Sequence, residues 1–115
     1  MKNKASAPLP GRPVRGSRSG RPLMAALDLF GRRGTLRIIW ELREATLTFR
    51  ALQDAAETNP ALLNTRLKEL REAALVAHIG DGYALTALGR ELLKAFEPLS
   101  KWATKWANAR EAKKD

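Results

Sequence analysis

The sequence predicts a mainly α-helical domain with one small β-hairpin, on the strength of three observations. Leucines recur at helical spacing in residues 61–70, ALLNTRLKEL. Asn59 followed by Pro60 is a strong helix start, because proline needs no amide partner in the first turn and its φ is already helical. Residues 76–85, VAHIGDGYAL, form two short strand-like runs around a glycine-rich turn, as in a tight hairpin.

The first 21 residues differ in composition from the rest of the 115-residue chain. They are rich in Pro, Gly and Ser, and they hold six of the 21 basic residues but none of the 12 acidic ones, so most of the net charge of +9 lies here. Because few large apolar side chains are present to offset the entropy of ordering, we expect residues 1–21 to form a disordered basic arm. Such an arm can follow a phosphate backbone, although a merely solubilising tail fits the composition equally well. Residues 22–110 should form the folded domain, and residues 111–115 a charged tail.

Composition excludes several classes of function. The chain has no cysteine, which excludes disulfides, thiolate metal sites and cysteine-based redox sensing within it, and its one histidine, His78, cannot build a metal site alone. No apolar run approaches the roughly 18 residues of a membrane span, and no secretory signal is recognisable. We therefore expect a cytoplasmic protein that has no metal, cofactor or enzymatic activity.

Two short helices are expected at the start of the folded domain. LMAALDLF at 23–30 is apolar and stops at Gly31, and TLRIIWELREA at 35–45 follows it. The intervening GRRGT lacks the spacing and the Lys-Ser/Thr pair of a phosphate-binding loop. In the second helix four side chains are expected to face mostly the core: Leu36, Ile39, Trp40 and Leu42.

The next two helices are predicted to form a helix-turn-helix. Thr48 can cap a helix from Phe49 to Ala56, and after a turn the second helix runs from Pro60 to about Ala73. Its inward side consists of Leu63, Leu67 and Leu70. Its opposite side, called the polar face below, consists of Ala61, Asn64, Thr65 and Lys68.

A hairpin follows, with strands Val76 to Ile79 and Tyr83 to Leu85, and a helix-turn-helix followed by a hairpin is a winged helix. Thr86 can cap a last helix, which we expect to bend near Pro98 because proline lacks an amide and crowds the preceding turn. The predicted fold is therefore a winged helix-turn-helix with extra N- and C-terminal helices.

Four stretches occur in a characteristic order: ALDLFGRRGTLRIIWEL, LTFRALQDA, NPALLNTRLKELREAALV and YALTALGRELL, followed by Trp102. In this order and spacing, residues 24–106 resemble the HxlR-type winged-helix transcription regulators, which belong with the MarR-like regulators of bacteria. Members of that family are dimeric DNA-binding repressors or activators, so the resemblance implies the same function here.

The chain departs from the family pattern in four ways. Arg33-Gly34 stands where the family usually has Lys-Trp, so an aromatic anchor is missing. The family's glycine at the end of the recognition helix is Ala74 here, and because a left-handed alanine costs about 1 kcal/mol, a different helix end is expected. The family's amino-terminal cysteine is absent. The wing is short and carries Asp81 at its tip, which should not lie close to phosphates.

The polar face suits the major groove of DNA, which is about 12 Å wide. Asn64 can pair with adenine through two hydrogen bonds and Thr65 can meet a base edge or a thymine methyl, so we expect both to contact bases. Lys68 suits phosphate or guanine, and Arg66 and Arg50 are candidates for backbone contacts. The alternative is that this face is only solvated surface. The candidate DNA-binding residues are thus Asn64, Thr65, Lys68, Ala61, Arg66 and Arg50.

An apolar stripe marks the last helix, where Leu99, Trp102 and Trp106 follow an i, i+3, i+7 pattern. Exposed stripes of this kind usually mark an interface, so we expect a homodimer. In the resembling family this helix pairs with the partner subunit and with the first helix, which here contains Leu23, Leu27 and Phe30. The alternative is that the stripe packs onto its own domain.

The acidic residues of the helices need no catalytic explanation. Glu41, Glu44, Glu69 and Glu72 lie among arginines and lysines, which predicts solvated ion pairs.

Together these patterns predict a homodimeric regulator that binds pseudo-palindromic double-stranded DNA. Two alternatives stay open: a winged helix that has lost DNA binding and holds another protein, and RNA binding through the basic arm. A small-molecule effector is also compatible with these patterns.

Overall fold

A computed structural model describes residues 7–112 of the chain. The helices are α1 Pro22–Phe30, α2 Thr35–Glu41, α3 Phe49–Ala55, α4 Pro60–Glu72 and α5 Ala87–Ala112. The strands are β1 Leu47–Thr48, β2 Val76–Ile79 and β3 Gly82–Leu85. The prediction of a mainly helical fold with a small hairpin is confirmed.

The helix-turn-helix consists of α3 and α4, and both helices begin at the predicted caps. The Thr48 hydroxyl accepts a hydrogen bond of 3.1 Å from the amide of Ala51. Asn59 Oδ1 accepts one of 2.8 Å from the amide of Leu62, and Pro60 occupies the first helical position. Local sequence therefore fixes where each helix starts.

The end of α4 differs from the expectation. Ala74 adopts the left-handed conformation with φ of 66° that a glycine would normally supply. Its amide donates to the carbonyl of Arg71 at 3.0 Å, and the amide of Leu75 donates to the carbonyl of Leu70 at the same distance. These two hydrogen bonds form a Schellman motif, and the burial of Leu70 and Leu75 accompanies it. The expectation of a different helix end is wrong, because these interactions offset the strain at Ala74.

The sheet has three strands in the order β1-β3-β2, with antiparallel pairs. The hairpin of β2 and β3 was expected, whereas β1, which is two residues long, was not. Strand β1 pairs with β3 through Leu47 and Tyr83. Gly82 is required there, because a Cβ would lie 2.7 Å from the Thr46 side chain and 3.2 Å from the Leu47 carbonyl oxygen. Strand β1 thus ties the helix-turn-helix to the wing.

The core is built by the inward sides of α2, α3 and α4 together with the start of the hairpin. In α2 the buried side chains are Thr35, Ile38 and Ile39, followed by Leu42 just after the helix. The expectation that Leu36 and Trp40 face the core is wrong, since they are 42% and 52% exposed. Only one side of the short helix α2 packs against the core, and Leu36 and Trp40 lie on the other side.

Residues 7–20 contradict the expectation of a disordered arm over that range. They form a compact turn, called the N-terminal hook below, in which the amide of Gly11 donates to the carbonyl of Gly20 at 2.9 Å. The amide of Arg15 donates to Asp28 of α1 at 3.0 Å. The prediction of disorder rested on composition alone, whereas the segment is ordered by glycine turns and by hydrogen bonds to carboxylates of the folded domain. The remaining residues of the predicted arm, 1–6, lie outside the described residues.

Thr86 caps helix α5: its hydroxyl accepts a hydrogen bond of 3.1 Å from the amide of Gly89 and donates one of 2.7 Å to the carbonyl of Ala74. The helix continues through Pro98. Of the predicted charged tail, residues 111 and 112 continue α5 and residues 113–115 lie outside the described residues. Over residues 7–112, no helix combines the length and the apolar character that a membrane crossing requires.

Candidate nucleic-acid interface

The polar face of α4 lies on the solvent side of the helix. Its four members are exposed, while the opposite side of the same helix is buried in the core. The Thr65 hydroxyl donates to the carbonyl of Ala61 at 3.1 Å, so its proton is used within the helix. The Thr65 methyl group and oxygen lone pairs remain for a partner, and Asn64 and Lys68 flank it. The structure thus brings four of the six predicted DNA-binding residues onto one surface.

The two predicted backbone contacts differ from each other. Arg50 is an exposed residue of α3. Arg66 is only 14% exposed at its side chain, its Nε donates to the carbonyl of Arg33 at 2.7 Å, and Nη1 donates to Glu69 at 3.2 Å. Arg66 would have to break these bonds to reach a phosphate, so its evident role is to hold α4 against the turn between α1 and α2.

Glu69 is the residue of α4 that the sequence interpretation placed wrongly. Its side chain is 4% exposed, and it accepts hydrogen bonds from Arg32 at 2.9 Å and from Arg66 at 3.2 Å. It is therefore a buried, doubly paired carboxylate and not part of a solvated ion pair. The spacing in the sequence could have indicated this burial and pairing, because Glu69 lies beside the leucine stripe and three residues after Arg66.

This pairing joins α4 to the segment between α1 and α2. The carbonyl of Arg33 and the guanidinium of Arg32 both belong to the turn that carries Arg33-Gly34. Two arginines and one carboxylate join that turn to α4. The helix that carries the polar face is consequently fixed on its opposite side by both the leucine core and an ionic network.

The wing is a short hairpin with a mixed tip. His78 stacks on Tyr83 across the strand pair, with ring centroids 4.4 Å apart and an interplanar angle of 4°, so the histidine is a strand residue as expected. At the tip, Ile79 is 57% exposed and Asp81 is exposed in a two-residue turn that begins with Gly80 at φ 60°. The wing presents neither a basic residue nor a proline at this end.

The N-terminal hook contacts the C-terminal end of α4. The amide of Ala7 donates to Glu72 Oε1 at 2.9 Å, and Arg12 Nη2 donates to Oε2 at 3.2 Å. The backbone hydrogen bond from Ala7, followed by the interactions with Arg12 and the nearby charge of Lys68, holds the pKa of Glu72 below its ordinary value. Sequence reasoning missed this contact because its partners are 60 to 65 positions apart.

Most of the predicted dimer residues form an exposed apolar surface. Leu99, Trp102 and Trp106 of α5 are 53%, 53% and 55% exposed, and the two indoles stack with ring centroids 5.4 Å apart. The alternative in which this stripe packs onto its own domain is therefore not what the structure contains. On α1, Leu23 and Leu27 are also mostly exposed. Phe30 is the exception, since it is partly buried and packs on Phe96 at 5.6 Å.

An apolar groove of about 540 Å³ separates α2 from α5. Leu36 and Trp40 form one wall, and Leu93 and Phe96 form the other. The groove accounts for the exposure of Leu36 and Trp40 on the short helix α2.

The arrangement of α3, α4 and the hairpin defines a winged helix-turn-helix, a class of domain that reads DNA with its second helix. Residues 29–111 match the HxlR-like helix-turn-helix family, and the chain belongs to that family. The resemblance seen in the sequence is confirmed, and with it the assignment to DNA-binding transcriptional regulators.

Two similar proteins illustrate the relationship. An HTH-type transcriptional regulator of Methanocaldococcus jannaschii is 30% identical over 92 residues, which cover 76% of this chain and 87% of the relative. The crystal structure of quinone-bound YodB from B. subtilis has a TM-score of 0.69 and 27% identity, and the likeness covers 72% of this chain and 96% of that chain. Both comparisons span nearly the whole length of the relative.

Proposed function

We propose that the chain is a sequence-specific regulator that binds double-stranded DNA in the cytoplasm as a homodimer, with α4 in the major groove. The single observation that carries this proposal is the polar face of α4. It combines an amide, a hydroxyl and an ammonium group on one exposed surface whose other side is fixed by buried leucines and by Glu69. A preorganised face loses little entropy when it meets base edges.

Each member of the face has a distinct chemical use. Asn64 offers both a donor and an acceptor, which is the pattern that adenine requires in the major groove. Thr65 offers a methyl group for thymine, and Ala61 keeps the first turn small enough for close approach. Lys68 and Arg50 contribute charge toward phosphates.

The homodimer is supported by the exposed apolar surface of α1 and α5. From Leu99 to the end of the described chain no residue of α5 is buried, yet this half of the helix carries two tryptophans. A two-fold axis that pairs these helices would remove both indoles from water. The same axis would relate two copies of α4, so the favoured site is an inverted repeat with half-sites one or more helical turns apart.

The acidic wing tip is the observation that favours the alternative function. Asp81 would repel phosphates, and the exposed Ile79 beside it is suited to a protein partner. In that case the winged helix would hold another protein and leave DNA unbound.

DNA selection followed by matched variants tests the proposal. The purified protein is used to select duplexes from a random pool, and fluorescence anisotropy then compares one selected duplex with a scrambled duplex at several salt concentrations. We expect a pseudo-palindromic motif. Asn64→Ala should cost on the order of 1 to 3 kcal/mol on the selected duplex and little on the scrambled one, because hydrogen bonds to a base edge supply discrimination.

Lys68→Ala is the matched control on the same face. It should weaken both duplexes alike and lower the salt slope by about one, because a phosphate contact carries no sequence information. A wild-type protein that enriches no motif and binds neither duplex would reject the proposal in favour of the protein-interaction module. Selection of direct repeats alone would reject the two-fold arrangement.

A further inference from the structure

The N-terminal hook lies outside the part of the chain that matches the family, which begins at residue 29. It nevertheless has a defined structure. Ala7 and Pro8 are buried, and the hydrogen bond between Gly11 and Gly20 closes the turn. The hook is therefore an addition to the winged helix with its own attachment points.

The attachment places the hook beside the polar face. Asn64, Lys68 and Glu72 are spaced four residues apart, so they follow one another along the same side of α4. Glu72 is the residue to which the hook is bound. It lies about 12 Å from Asn64 along the helix axis, since eight residues rise about 1.5 Å each. With Asn64 in the major groove, which is about 12 Å wide, the hook would lie at the edge of the groove, where the flanking phosphate strand runs.

Among the described residues, most arginines in the hook and just after it have no acidic partner. Within residues 7–112, Arg12 pairs with Glu72, whereas Arg15, Arg18 and Arg21 are exposed and make no ion pair. Arg21 even stands at the N-terminal end of α1, where a positive charge is unfavourable for the helix dipole. The stability of α1 therefore does not explain Arg21.

We propose that the N-terminal hook is a second DNA-binding element, which contacts the sugar-phosphate backbone at the edge of the groove that α4 occupies. The inference rests on the proposed function and adds a fixed contact to it. A folded hook fixes the backbone positions of its arginines before binding, so it avoids the backbone part of the ordering cost that a disordered arm would incur. It also gives the phosphate contacts a definite position relative to Asn64.

A charge-neutral variant separates this hook from a flexible basic arm. Gly20 has φ of +73°, and a Cβ there would lie 2.3 Å from the carbonyl oxygen of Arg12. Gly20→Ala should open the hook while every arginine remains. Ser19→Ala, one residue earlier at an exposed position, is the matched control: it introduces no strain in the turn and removes only the 3.4 Å contact between the hydroxyls of Ser17 and Ser19.

We expect Gly20→Ala to weaken binding to the selected and the scrambled duplex alike, on the order of tenfold. The salt slope should fall by up to about 0.9 for each phosphate that the opened hook no longer neutralises. The triple variant Arg15→Ala, Arg18→Ala, Arg21→Ala should act in the same direction, and Ser19→Ala should match the wild type. Faster trypsin cleavage after Arg15 and Arg18 reports that the hook has opened, and an unchanged far-UV spectrum reports that the winged helix is intact.

Each outcome decides the proposal. If Gly20→Ala opens the hook but leaves affinity and salt slope unchanged, the hook does not bind DNA, and the proposed function still stands as long as Asn64→Ala reduces discrimination. If Gly20→Ala leaves the hook closed, the triple variant decides, and unchanged binding overturns the proposal. If the wild-type protein binds neither duplex, both the proposed function and the hook proposal are wrong.

Discussion

Arg32 Nη1 donates a hydrogen bond of 2.9 Å to the carboxylate of Glu69, which is almost completely buried. Arg32 lies in the turn after α1, and Glu69 lies in the third turn of α4. A second arginine, Arg66, donates to the other oxygen of the same carboxylate at 3.2 Å. The position of α4 relative to the first two helices is therefore set by an ionic network as well as by leucines.

Glu69→Gln should lower the free energy of unfolding by about 2 kcal/mol. The variant keeps the shape but removes the charge that two partly buried guanidinium groups require. Urea denaturation followed by circular dichroism measures the change. Glu41→Gln is the matched control, because Glu41 pairs with Arg37 at 2.8 Å in a more exposed position and should contribute less than about 1 kcal/mol. Equal effects of the two variants would contradict a structural role for the network.

Ala74→Gly should raise the free energy of unfolding by about 1 kcal/mol, because it removes the left-handed strain at the end of α4. Ala73→Gly, one residue earlier, should have the opposite sign. Ala73 has φ of −79°, which alanine adopts without strain, so glycine there only adds entropy to the unfolded chain. Thermal unfolding of the two variants measures the pair. Destabilisation by both would show that Ala74 is not left-handed in solution.

Attachment of the hook should weaken at acid pH. The pKa of Glu72 is lowered by the amide of Ala7 and by Arg12, so the stabilisation is complete above the ordinary glutamate pKa of about 4.3. It is lost as the pH falls through the lower pKa of folded Glu72. The Ala7 amide resonance in ¹⁵N-correlated NMR spectra should shift with pH, with a midpoint below about 4.3, because this amide reports the protonation of Glu72, whose pKa is lowered. Glu72→Gln should remove this titration; a midpoint at or above the ordinary value would contradict the contact.

Trp102→Glu should convert a dimer to a monomer. The substitution places a charge in the apolar surface that the proposed two-fold axis buries. Sedimentation velocity at micromolar concentration measures the state of assembly. Thr104→Glu is the matched control, because two residues along a helix turn the side chain by about 200°, away from the stripe. A folded wild-type monomer would reject the dimer, and dissociation by both variants would show that the effect is not specific to the stripe.

The sequence by itself determined the elements whose signals are local. Thr48, Asn59 and Thr86 cap the helices they were expected to cap, because a cap needs only a side chain and an amide three residues away. The spacing of Leu63 and Leu67 identified the buried side of α4, and its polar face followed from that assignment. A glycine-rich turn between apolar runs was enough to predict the hairpin.

Tertiary structure decided everything that depends on partners far apart in the chain. It ordered residues 7–20 through Glu72 and Asp28, buried Glu69 between Arg32 and Arg66, and paired β1 with β3. It also left Trp40 exposed beside the groove between α2 and α5, and it bound the carbonyl of the left-handed Ala74 to the hydroxyl of Thr86, which lies 12 positions along the chain. Composition and periodicity describe what a segment can do alone, whereas these features exist because contacts made elsewhere in the fold offset their local cost in entropy, charge burial or strain.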